Sequence, residues 1–129
     1  MLNIDTNTML IELTRGDSAS IVFGAKDKDG NTWNPDSTSD KITFAVSKKW
    51  GGENLMSIIN TYDGSDTTKF WTINIGTEDW LNDDGSDKFK FADYVYDVQI
   101  ETSTGADTII GKTDELNPTF RVWGEAAEE

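Results

Sequence analysis

Short runs in which apolar and polar residues alternate, each closed by a turn signal, limit the fold of this chain more than any other feature. A period of two is that of a strand with one buried face. Ile42, Phe44 and Val46 alternate with Thr43, Ala45 and Ser47, and Tyr94, Tyr96, Val98 and Ile100 alternate with residues that include Asp97 and Gln99. Further runs cover Met9–Thr14, Ser18–Ala25 with Ile21 and Phe23 on one face, and Met56–Ile59. Phe70–Ile75 follows with Trp71, Ile73 and Ile75 on one face, and then Thr108–Ile110 and Phe120–Val122. Trp33 is expected on a short returning strand after the Asp29-Gly30 turn, since Asp and Gly tolerate positive φ. Gly51-Gly52, Asp63-Gly64 and Ser103-Thr104-Gly105 punctuate the remainder.

One helical turn is expected at Thr77–Leu81, where a Thr cap precedes Glu78 and Asp79 in the first turn. With no long helix to cover a parallel sheet, the pattern predicts an all-β, antiparallel sandwich of about seven to nine strands. Phe23, Phe44, Ile73, Tyr96, Val98 and Phe120 are expected inward. Tyr94, near the start of the longest strand, sits where immunoglobulin-like sandwiches place a tyrosine corner.

The length of 129 residues suits one domain. Only 36% of residues are apolar, so the six Phe, five Trp and three Tyr must supply much of the core. The reading is a single domain over residues 9–123, a docking arm over 1–8 and a short acidic tail over 124–129.

Charge and missing residue types exclude several functions. A net charge of −13 repels nucleic acid and anionic membranes and favours basic partners. The chain has no Cys and no His, which removes disulfides, thiolate chemistry, the usual structural zinc and imidazole catalysis. No signal peptide is visible at the N-terminus and no run approaches a membrane-spanning helix. Carboxylates are the only abundant reactive groups, and they fall in turns or on the polar side of strands. The expectation is therefore no enzymatic activity and no cofactor or metal.

Three local motifs dissolve on inspection. Asp27-Lys28-Asp29-Gly30-Asn31 resembles the start of a calcium loop, but Thr32 and Thr38 stand where Gly and Glu are required. It reads as a hairpin. Asp83, Asp84 and Asp87 form a better acidic group, still read as solvated surface. Arg15-Gly16-Asp17 reads as a strand-to-strand turn.

Tryptophans are the other candidates. Trp71 and Trp80 are expected in the core. Trp33, Trp50 and Trp123 flank polar or Gly-rich stretches and are expected at a protein interface, with glycan stacking as the alternative. Leu2 and Ile4 of the N-terminal arm are expected to join Trp123 in docking.

Several stretches resemble one known group of proteins. Ile11-Glu12-Leu13-Thr14-Arg15-Gly16-Asp17-Ser18 is similar to the I-x-L-T-R-G-D-T/S opening of small virion-associated domains of tailed phages. Asp93-Tyr94-Val95-Tyr96-Asp97-Val98-Gln99-Ile100 resembles their G-x-Y-x-Y-D-I-Q-L strand, and Thr77–Leu81, Thr108–Ile110 and Phe120–Val122 resemble further short segments. Asp93 stands where Gly is usual, and the Thr38–Asp40 and Gly85–Lys88 regions look inserted. These domains are similar to the N-terminal domains of phage baseplate upper proteins and are immunoglobulin-like. The resemblance implies a structural protein of a tailed-phage virion, a capsid decoration protein or a tail or baseplate adaptor. It would be made in the host cytoplasm and held in multiple copies by contacts with other virion proteins. A module binding host glycan is the alternative.

Overall fold

A computed structural model describes residues 2–5, 7–14, 16–76 and 91–123. Among these residues eleven strands and one short helix follow in the order β1 (Leu2–Asp5), β2 (Leu10–Thr14), β3 (Ser18–Val22), β4 (Ala25–Lys26), β5 (Thr32–Trp33), β6 (Lys41–Ser47), β7 (Asn54–Thr61), α1 (Thr67–Trp71), β8 (Thr72–Gly76), β9 (Phe91–Thr102), β10 (Gly105–Ile110) and β11 (Thr119–Trp123). The larger sheet runs β1-β2-β11-β9-β6-β7, with β10 also on β9. The second layer is β3 paired with β8, and β4–β5 is a separate hairpin. This is an all-β sandwich, in which β11, β9 and β6 are central in the larger sheet.

Alternation decides which faces meet. In β6 the residues Ile42, Phe44 and Val46 are buried, and in β9 so are Tyr94, Tyr96, Val98 and Ile100. From the opposite layer come Ile21, Ile73 and Ile75. Phe44 lies at the centre: its ring meets Phe23 at 6.0 Å, Tyr96 at 5.4 Å and Phe120 at 6.2 Å. All six residues expected inward are in or against this core. Phe23 is only half-buried, because the strand expected over Ser18–Ala25 breaks after Val22, where the Phe23 N–H donates to the Trp71 carbonyl at 3.0 Å.

Four expectations need correction. The N-terminal segment is not an arm outside the sheet: Leu2–Asp5 pairs antiparallel with β2 in the register Leu2↔Leu13 to Asp5↔Leu10. The sheet is also not wholly antiparallel, because β11 runs parallel to β2. Phe70 and Trp71 end helix α1 rather than begin a strand, since the Asp66 side chain caps it by accepting from the Lys69 N–H. Asp40, in the polar loop that looked inserted, is buried and folds that loop by accepting from the Asp36 and Ser37 N–H groups at 3.0 and 3.2 Å. The helical turn expected at Thr77–Leu81 lies outside the described residues, as does Trp80.

Two side chains bind distant parts of the chain together. Asn60, inward on β7, donates to the carbonyls of Lys69, Phe70 and Thr72 and so closes the C-terminal end of α1. Tyr96 donates its hydroxyl to the Met9 carbonyl at 2.6 Å. Met9 is left-handed at φ 59°, closing the β1–β2 hairpin in a conformation costly for a residue with a side chain. The phenol thus pins a strained turn from inside the core, and burial raises its pKa further above the ordinary value. Tyr96→Phe should therefore lower unfolding free energy by about 1–3 kcal/mol, leaving a carbonyl unsatisfied in place of a bond. Urea denaturation with an unchanged m-value would show this; an unchanged midpoint would mean the bond contributes nothing.

Candidate functional site

Two surfaces combine aromatic groups with organised polar ones. The first is on the outer face of the larger sheet, where the registers Arg121↔Glu12 and Arg121↔Asp93 set a cation between two carboxylates on neighbouring strands. Arg121 donates from Nε and NH2 to both oxygens of Asp93, at 2.7 and 3.0 Å. This fork geometry is the strong form of a charge-assisted pair, and it raises the pKa of Arg121. The guanidinium carbon also lies 4.1 Å from the ring centre of Phe91 and 5.8 Å from that of Trp123. Phe91 and Trp123 touch at 4.8 Å between centroids, and the indole N–H of Trp123 donates to Glu12 at 2.8 Å. Five side chains from three strands are therefore held in one fixed patch, with Phe91 46% exposed.

An exposed ion pair contributes little to stability. Its effect here is to fix the orientation of rings that solvent would otherwise disfavour. Fixed aromatics beside a bidentate arginine are the composition of binding hot spots. Trp123 was legible as a surface candidate; Phe91, Arg121, Asp93 and Glu12 were not. Each is an ordinary outward residue of its own strand, and they gather only once β2, β11 and β9 are adjacent.

The second surface is a cavity of about 710 Å³ between β9–β10 and the β4–β5 hairpin. Trp33, Ile100 and Ile109 contribute its apolar wall, while Lys26, Asp107, Thr102 and Thr104 are among its polar lining. Trp33 is half-buried, its ring meeting Trp71 at 6.0 Å and Phe70 at 6.4 Å. The adjacent turn is the expected hairpin: Gly30 takes φ 84°, and the Asp27 carboxylate accepts from the Asp29 and Asn31 N–H groups at 2.9 and 3.0 Å.

The structure does not bring the five expected contact residues together. Trp50 is half-buried and bonded through its N–H to Asn117 at 2.7 Å. Ile4 stands opposite the buried Ile11, and Leu2 pairs with Leu13 in the register of β1 on β2, whereas Trp123 belongs to the outer face. Ile4 is 38% exposed because β1 is the edge of the sheet. The acidic group Asp83, Asp84 and Asp87 lies outside the described residues. No family model, curated protein or solved structure matches this chain.

Asp97 also lies on β9 and stands opposite Ala45 in β6, half-buried on the outer face. Desolvation raises its carboxyl pKa above the ordinary value. The folded chain then keeps this proton to higher pH than the unfolded chain does, so stability falls as pH rises from the ordinary carboxyl range through the raised value. Above that window the loss is complete. Asp97→Asn should raise the thermal midpoint at pH 7 and give no such gain near about pH 3, below both values. A midpoint that falls at pH 7 would show that the charge is stabilised rather than penalised.

Proposed function

We propose that this chain is a non-enzymatic structural protein of a tailed-phage virion, a capsid decoration protein or a tail or baseplate adaptor, held by protein–protein contacts. The observation that carries the contact role is the fixed patch of Phe91, Arg121 and Trp123 on the outer face of the larger sheet. The resemblance of the Ile11–Ser18 and Asp93–Ile100 segments to virion-associated domains supports the setting, as does an all-β sandwich, an architecture that serves as a presentation scaffold in many proteins.

The physics of attachment follows from the charge. A surface at −13 is drawn towards basic partners. At physiological salt this attraction fades beyond about 8 Å, so it guides approach and leaves holding to the desolvated patch. Multiple copies on a symmetric lattice make modest single contacts sufficient. Phe91→Ala and Arg121→Ala are each expected to weaken docking by about 2 kcal/mol or more, as for interface anchors, while changing the thermal midpoint little. Quantitative mass spectrometry of particles assembled with each variant reads this directly. Particles carrying both variants at full occupancy would remove the patch from the contact.

A further inference from the structure

The cavity beside Trp33 is at the opposite end of β9 from Phe91, lined there by Ile100 and Thr102, and is independent of the docking patch. We infer that this cavity is a binding site for a neutral saccharide, with a pyranose ring against Trp33 and its hydroxyls on Asp107, Lys26 and the Thr102–Thr104 pair.

The indole donors separate the tryptophans. Among the described residues, the N–H groups of Trp50, Trp71 and Trp123 are each taken by a side-chain oxygen, of Asn117, Asn34 and Glu12. The indole N–H of Trp33 has no hydrogen-bond partner among the described residues and is not buried without one, so this donor has access to solvent. An amphipathic ring with an unspent donor beside a cavity suits a ligand that has both an apolar face and polar edges.

The lining defines the ligand class. Lys26 and Lys28 are set against Asp27 and Asp107, so the charges balance and neither an anion nor a cation is selected. The Asp27 carboxylate is already engaged by its turn. The Thr102 and Thr104 hydroxyls hydrogen-bond each other at 3.0 Å, and the turn also engages the Thr102 hydroxyl through the Thr104 N–H, so the pair presents a fixed polar edge whose remaining capacity lies on Thr104. Closely spaced donors and acceptors next to an aromatic ring match alternating hydroxyls on a sugar face, not a purely apolar ligand. A volume of about 710 Å³ falls in the range of small-ligand sites, about 300–1,000 Å³.

The test uses the full chain on an array of neutral and anionic glycans, followed by calorimetry with the best neutral oligosaccharide. Neutral glycans are expected to bind. Because Trp33 also packs on Phe70 and Trp71, Trp33→Phe keeps an aromatic ring while removing the donor, and Asp107→Ala changes only an exposed rim residue. Each should weaken binding by about tenfold, the scale of one well-placed aromatic or polar contact. Leu55→Ser, on an exposed position of β7, should leave affinity unchanged. Absence of any neutral glycan above background, a preference for anionic glycans, or full affinity in both the Trp33 and Asp107 variants would overturn the assignment.

Discussion

Stability in this chain depends on the ring of Phe44. It meets residues from the segment just after β3, from the longest strand and from the last strand: Phe23, Tyr96 and Phe120. Aromatic pairs contribute about 0.5–1.5 kcal/mol each beyond the area they bury. That increment matters where apolar residues are only 36% and no disulfide exists. Around this centre, aliphatic residues such as Ile11, Leu13, Ile73 and Val98 fill the space between sheets. A second group, Trp33, Tyr62, Phe70 and Trp71, packs round α1, and Trp33 of this group lines the cavity. The core thus stabilises the sandwich and, through Trp33, also reaches the wall of the cavity.

What could be read beforehand follows from how local each signal is. Alternation in Ile42–Val46 and Tyr94–Ile100 needs only a few residues of one strand, and both are strands with the expected face buried. The Asp29-Gly30 turn is equally local. Leu2 and Ile4 already alternate, but a run this short has no meaning until β2 pairs with it. Phe70 and Trp71 are adjacent apolar residues, which breaks a period of two; with Asp66 as a cap, that was the available sign of α1.

The outer patch was illegible for a different reason. Glu12, Asp93 and Arg121 are widely separated in sequence, and only their register sets the cation between two carboxylates. Asp40 shows the same limit from the opposite side. Its composition says loop surface, yet two backbone donors make burial favourable. Polar residues are placed by partners, and the partners are a property of the fold.

The parallel pairing of β2 with β11 also governs how the domain would carry load. Their bonded residues run from Ile11 opposite Phe120 to Thr14 opposite Trp123. Tension drawing the two chain ends apart would first peel β1 from β2, one bonded pair at a time, because that hairpin opens from Leu2. It would then meet β2 and β11 pointing the same way, so their bonds would slide against each other and share the force rather than part singly. A copy tethered at its ends would yield softly at first and then resist, a mechanical asymmetry set by one edge strand and one parallel seam.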